Sequence, residues 1–242
     1  MRIAVISDIH GNAHALDAVL GAVDVAAAEA LWCLGDLVGY GPRPNECVRA
    51  VRARAEPCLL GNHDLAVLGR LELADFTPDA AAAALWTRTV LEDELRSWLD
   101  SLASQAVVEG AQLFHASPRD PVWEYVLSEE AALGALRATT APLVLVGHSH
   151  VPLALLLADG ALSGGHAPEG TEVDLRAGRW LLNPGSVGQP RDGDPRAAFL
   201  VLDTDAGTAS FHRVAYDVAH TQGEIRAAGL AEPLAARLAA GA

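Results

Sequence analysis

Five short apolar runs that read as β-strands lie in the first 150 residues, and each breaks off into side chains that bind metal ions. Ile3 to Ile6 leads to Asp8-Ile9-His10, Leu31 to Leu34 to Gly35-Asp36, and Cys58 to Leu60 to Gly61-Asn62-His63-Asp64. Ala111 to Phe114 ends at His115, and Leu143 to Val146 runs into Gly147-His148-Ser149-His150. Asp, Asn and neutral His bind first-row divalent cations through oxygen and imidazole nitrogen, and loops at strand ends gather sequence-distant residues without strain. The fold must therefore bring several strand ends to one place.

Between these runs the periodicity turns helical. Ala13 to Val23 repeats apolar residues at helical spacing behind Asn12, which reads as its cap, and a second helix is expected from about Asn45 to Ala53. Alternating strands and helices imply a sheet covered on its faces by helices. The stretch from about 65 to 104 reads as a helical insertion, with Thr77-Pro78 opening its main helix; another helix is expected at Glu129 to Ala138. Beyond residue 150 come short strands separated by Gly, Asp and Pro, expected at Leu153 to Leu157, Glu172 to Leu175, Arg179 to Leu182, Ala198 to Leu202 and Ala209 to Val214. A helical tail is expected from Thr221 to Ala242, and the whole of 1–242 reads as one domain.

Composition excludes whole classes of chemistry. The chain has no Lys: all 17 basic residues are Arg. A Schiff-base lysine, a P-loop lysine and a Ser-Lys dyad are all ruled out. A net charge of −14 argues against stable binding to duplex nucleic acid or to an anionic membrane surface, so any phosphate ligand must be drawn by local cations. Cys33, Cys47 and Cys58 form no C-x-x-C pair and suggest a reducing, cytoplasmic setting, with Cys33 in the core. No signal peptide is evident, and no apolar run is long enough to span a bilayer.

The clustered residues supply what a metallohydrolase needs: anionic ligands, imidazoles to fill the shells, and one carboxylate, Asp36, whose two oxygens can face different ions. Asp8 and His10, and likewise His148 and His150, are two apart, so extended geometry would aim each pair in one direction. With D-x-H, G-D, G-N-H-D, a lone His and G-H-x-H in this order, the chain resembles the calcineurin-like metallophosphoesterase superfamily. Gly35-Asp36-Leu37-Val38-Gly39-Tyr40-Gly41-Pro42 and Asn183-Pro184-Gly185-Ser186 make it most similar to the small bacterial and archaeal phosphodiesterase branch, over about residues 1 to 205. The resemblance implies an α/β (α+β) fold, a four-layer αββα sandwich of two mixed sheets flanked by helices. It implies one metal held by Asp8, His10, Asp36 and His150 and a second held by Asp36, Asn62, His115 and His148. Manganese is the first expectation; iron, zinc, nickel and magnesium also suit such donors. The implied reaction is attack on phosphorus by a hydroxide shared between the cations, with His63 assisting the leaving group and Asp64 fixing the His63 tautomer.

Further residues are candidates for substrate contact. Asn12 is placed near the site by the resemblance, Arg191 follows the Asn-Pro-Gly-Ser loop, and Tyr40, Arg119 and Trp123 sit in loops after strands. His14, His166, His212 and His220 have no motif partner. The expected substrate is a small phosphodiester or nucleotide. A phosphomonoester such as a phosphoprotein, or a dinucleoside polyphosphate, would use the same chemistry, and the oligomeric state is left open. Two readings from other classes compete. Gly147-His148-Ser149 begins like a G-x-S-x-G nucleophile elbow but has Val151 where the second Gly belongs. A metal-binding scaffold without activity would have little reason to keep His63.

Overall fold

In strand β1 (Arg2–Ile6), Ile3 and Val5 face one way and Ala4 and Ile6 the other, and all four are buried. Period-two alternation with both faces apolar is the mark of a strand sandwiched between two layers. Here one layer is helical and the other is a second sheet.

The computed structural model describes residues 1–108 and 110–242. After β1 come α1 (Ala13–Val25), β2 (Ala30–Cys33), α2 (Pro44–Arg54), β3 (Ala55–Cys58), α3 (Asn62–Leu68), α4 (Pro78–Val90) and α5 (Asp93–Asp100). The chain continues through β4 (Gln105–Val108), β5 (Ala111–Phe114), α6 (Glu129–Arg137), β6 (Leu143–Leu145), β7 (Pro152–Ala158), β8 (Ala161–His166) and β9 (Glu172–Asp174). It closes with β10 (Arg179–Pro184), β11 (Ala197–Asp203), β12 (Thr208–Val214), α7 (Val218–Ala227) and α8 (Glu232–Ala240).

The strands form two mixed six-stranded sheets, ordered β3-β2-β1-β11-β12-β9 and β4-β5-β6-β10-β7-β8. In the first, β1, β2 and β3 run parallel; in the second, β5, β6 and β10 do. Ile3, Val5, Trp32 and Leu34 of the first sheet meet Leu113, Leu145, Trp180 and Leu182 of the second in a shared core. On the outer face of the first sheet, Ala4 and Ile6 pack with Leu16, Val19 and Val48 of α1 and α2. Ala132, Ala135 and Leu136 of α6 cover Val144 and Leu181 of the second. Each buried Val, Leu or Ile side chain among these contributes about 1.5–3 kcal/mol, and each Ala methyl less. The result is the four-layer αββα sandwich that the sequence resemblance implies.

Two differences from the sequence reading concern edges and ends. The sequence reading has no strand at β8, because its Gly164-Gly165 pair and mostly exposed residues give no alternating signal; it is an edge strand paired with β7. The helical tail is two helices, starting at Val218 rather than Thr221 and broken at Gly229-Leu230. Among the described residues no helix is long and apolar enough to cross a membrane.

Candidate metal centre

Parallel strands deliver their C-terminal ends to one edge of each sheet, and in this fold those two edges adjoin. Loops after β1, β2 and β3 carry Asp8, His10, Asp36 and Asn62, and loops after β5 and β6 carry His115, His148 and His150. Extended geometry does not aim these side chains. Asp8, His10, Asp36, His148 and His150 all have φ between 50° and 61°, so each ligand stands in a tight left-handed turn. Such conformations cost non-glycine residues of order 1–3 kcal/mol and persist where surrounding structure over-determines them.

Asp8, His10, Asp36 and His150 form one buried group of converging donor atoms, and Asp36, His115 and His148 form another. The paired spacing of His148 and His150 thus does not put them on one ion; they divide between the two groups. In the first group His150 Nε2 lies 3.3 Å from Asp8 Oδ1, and His10 Nε2 lies 3.6 Å from Asp36 Oδ2. In the second, His115 Nε2 lies 3.5 Å from the same Asp36 Oδ2 and 3.2 Å from Asn62 Oδ1. Asp36 Oδ1 is taken by the His63 amide at 2.9 Å, which leaves Oδ2 facing both groups.

The ring tautomers follow from the far side of each imidazole. Nδ1 of His10, His115 and His150 faces the carbonyl oxygen of Val38, Leu34 and Gln189 at 3.2, 2.9 and 2.6 Å. A carbonyl only accepts, so each Nδ1 carries the proton and each Nε2 presents a bare lone pair inward. Two pairs of acceptors therefore confront each other: His10 Nε2 with His150 Nε2 at 3.1 Å, and His115 Nε2 with Asn62 Oδ1 at 3.2 Å. Asp8 Oδ1, Asp36 Oδ2 and His148 Nε2 are buried without any hydrogen-bond partner among the described residues. Each orphaned atom would cost about 1–3 kcal/mol, whereas a shared cation satisfies all of them. Two nitrogens each about 2.1 Å from one cation lie about 3–3.4 Å apart, so the spacing fits. Burial raises Asp8 to about 7 and Asp36 well above its usual range, and lowers His10 and His150 well below theirs. A cation would reverse the carboxylate shifts and deepen the histidine ones.

Glycines let these loops approach. A Cβ on Gly61 would sit 2.0 Å from Asp36 Oδ1, and one on Gly39 would sit 2.8 Å from His63 Nδ1.

Several sequence expectations need correction. Asp64 does not fix the His63 tautomer: its two oxygens accept from the amides of Val38 and Gly61 at 3.0 and 2.9 Å, and His63 Nδ1 has no partner among the described residues. Asp64 instead ties the loop after β2 to the start of α3. His63 lies beside the first group, its ring 4.8 Å from His10 and 4.3 Å from Tyr40. Burial, then the positive charge of Arg191, lowers its pKa to about 3. Asn12 is a structural residue: its Oδ1 caps α1 at Ala15 N, and its Nδ2 donates to Gly188 O and Tyr216 Oη. The Arg119 guanidinium is engaged by Glu124. Trp123 lies against Phe76, which meets His63, and so belongs to the cleft wall. Arg191 is held by Gln189 Oε1 at 2.8 Å, and its charge acts on Asp8, Asp36, His63 and Tyr40. Ser149 is no nucleophile elbow, since it is buried and its Oγ accepts from Asn183 Nδ2.

Two residues escaped the sequence reading. Tyr125 stacks on His148 with ring centroids 4.0 Å apart, and Arg237 of α8 lies within electrostatic range of Arg191, Tyr40 and Tyr125. Neither lies in a motif. His14 and His220, which lack motif partners, meet in space around Glu224.

Two facing sheets with buried Asp and His donors at their joined strand ends define a hydrolase of the metallophosphoesterase class. The chain belongs to the calcineurin-like phosphoesterase superfamily, whose domain model matches residues 1–207. A metallophosphoesterase from Sphaerobacter thermophilus superposes with a TM-score of 0.90 at 45% identity, over 100% of this chain and 99% of that one. An uncharacterized protein of Methanocaldococcus jannaschii is 37% identical over 98% of this chain and 96% of its own length. A symmetrical bis(5'-nucleosyl)-tetraphosphatase of Erwinia tasmaniensis is 33% identical over 60% of this chain, which spans 56% of that relative's length.

Proposed function

We propose that this chain hydrolyses phosphodiesters with the help of two divalent cations. Asp8, His10, Asp36 and His150 would hold one, and Asp36, Asn62, His115 and His148 the other. Manganese is the first choice among metals such mixed oxygen and imidazole donors accept, with iron, zinc, nickel or magnesium as alternatives. The observation that carries this reading is the pair of acceptor-to-acceptor contacts, His10 with His150 and His115 with Asn62, meeting across the free oxygen of Asp36.

When bound, the cations supply an acidified water as nucleophile and neutralise charge on the phosphoryl oxygens. The chain's own residues do the rest. Arg191, braced by Gln189, has Nη1 left for a non-bridging phosphoryl oxygen. His63 is a neutral imidazole throughout the neutral pH range, so it serves a leaving oxygen as an N–H donor rather than as an imidazolium acid. Tyr40 packs against both His10 and His63 and fixes the angle between them. Asp64 anchors the loops that carry Asp36 and His63.

The likeness to the tetraphosphatase favours a second reading, cleavage of a dinucleoside polyphosphate at the same centre. Chelated protein restored with manganese, zinc, nickel or magnesium and assayed on bis-p-nitrophenyl phosphate, p-nitrophenyl phosphate and diadenosine tetraphosphate separates these substrates. Preference for the diester supports the first reading, preference for the tetraphosphate the second. Preference for the monoester overturns both.

A further inference from the structure

Aromatic rings border both donor groups. Between ring centroids, Tyr40 lies 4.7 Å from His10 and 4.3 Å from His63, Phe76 lies 5.2 Å from His63, and Trp123 lies 5.1 Å from Phe76. At the second group Tyr125 covers His148, its ring 4.0 Å away and only 24° from parallel. Two of the three tyrosines in the chain therefore stand against donor imidazoles.

Tyr125 differs from the other rings. It rests on a buried imidazole, His148 being 3% exposed, yet is itself 47% exposed. Among the described residues none of the other exposed large apolar side chains, from Met1 to Leu127, is aromatic. The stack covers one face of the Tyr125 ring, so the exposed area is its outer face and edge. The loop that carries it follows directly on His115 and is closed by main-chain bonds from Ala116 N to Pro121 O and from Ser117 N to Asp120 O. Ser117 Oγ accepts from the amides of Arg119 and Asp120 at 3.1 Å, and Asp120 Oδ1 accepts from those of Val122 and Trp123 at 3.0 and 3.1 Å. Arg119 Nε donates to Glu124 Oε2 at 3.0 Å, next to Tyr125 in the chain. A ring already fixed in place loses little further freedom when a ligand settles on it.

We infer that Tyr125 is a stacking platform for a planar aromatic group on the substrate, a nucleobase in a nucleotide diester. This rests on the phosphodiesterase reading above and narrows its substrate class. A flat ring with a free face accepts the π-face of any base, whereas an alkyl or glyceryl arm offers no such face. Stacking one base on an aromatic side chain is worth about tenfold to a hundredfold in binding. His63, which serves the leaving oxygen, stands beside the first donor group, and Tyr125 stands on His148 of the second. The ester arm that reaches Tyr125 is the one that stays on phosphorus, so Tyr125 acts on binding and specificity.

The test compares two diesters with the same leaving group, p-nitrophenyl thymidine monophosphate and methyl p-nitrophenyl phosphate, in the metal-restored full chain. The wild type should show kcat/KM at least tenfold higher for the thymidine ester. Tyr125→Ala should remove most of that preference, chiefly through KM, and Tyr125→Phe, which keeps the ring, should retain it. A side chain that only shields His148 would affect both substrates alike. Equal losses on both substrates, no loss on either, no preference in the wild type, or a Phe variant as poor as the Ala variant would overturn the platform. Inactivity of the wild type on both diesters would instead overturn the phosphodiesterase reading itself.

Discussion

The Nε2 atoms of His10 and His150 lie 3.1 Å apart, each on a ring whose Nδ1 is committed to a main-chain carbonyl. Two inward lone pairs at that distance are unfavourable alone and stable around a cation. Asp36→Asn removes the charge that faces both donor groups. We expect it to lose metal, measured by mass spectrometry of the purified protein, and to lose activity by on the order of a hundredfold or more. Full metal content with full activity would refute the bridging role of Asp36.

His63→Ala is expected to behave differently. Its imidazole stands beside the first donor group but in neither of them. Metal content should stay at the wild-type level, while kcat falls about 10²–10³-fold, the usual range for a positioned hydrogen-bond donor to a developing oxyanion. If the variant loses its metals, the imidazole is a ligand and the division of roles is wrong.

Gly61→Ala tests the close packing behind Asp36. The added methyl would lie 2.0 Å from Asp36 Oδ1. Overpacking of this kind costs about 1–3 kcal/mol, and here it also turns the bridging carboxylate. Urea denaturation should show the destabilisation and metal analysis the loss of binding. Gly21 of α1, where a Cβ meets nothing within 4 Å and the backbone is helical, controls for the added side chain; Gly21→Ala should keep its stability and its metals.

Glu224 of α7, which accepts from Arg43 Nε at 2.8 Å and lies 3.0 Å from His14 Nε2, gives a pH signature. Hydrogen bonds from Arg43, then from His14, pull the Glu224 carboxyl down to about 2. A carboxyl depressed in the folded state stabilises above its unfolded value near 4.5, and that contribution is lost as pH falls from there toward 2. Glu224→Gln should therefore cost about 1–3 kcal/mol at neutral pH, with the gap to wild type closing below about pH 4.5. A gap that stays constant down to pH 2 would show that the charge of Glu224 contributes nothing.

Ser149→Ala separates the metal site from a serine hydrolase. Its Oγ only receives the Asn183 amide, so activity should survive within a few-fold, at a cost of about 1 kcal/mol in stability. Abolished turnover in a folded, metal-loaded variant would revive the nucleophile reading.

The donor set was legible because its information is local: D-x-H, G-D, G-N-H-D and G-H-x-H each name side chains at a strand end, and the topology then brings those ends together. What the spacing could not convey is how the donors divide. His148 and His150 are two apart yet serve different groups, because left-handed turns rather than a pleat set their directions. Asp64 looked like a partner of its neighbour His63, but the amides of Val38 and Gly61 compete better for its oxygens. Asn12 was legible as a cap from its place before an apolar helix, though its bonds to Gly188 and Tyr216 depend on residues about 180 and 200 positions away. Tyr125 was invisible for the same reason: nothing in its neighbourhood in sequence marks a tyrosine whose ring stacks on His148.

The most direct measurement is a metal titration of chelated protein, following manganese bound per chain and hydrolysis of bis-p-nitrophenyl phosphate together. The account predicts no turnover without metal, saturation at two equivalents, and activity that rises with occupancy of the second site. Turnover undiminished by chelation, or two bound ions with no hydrolysis of any phosphoester, would contradict it.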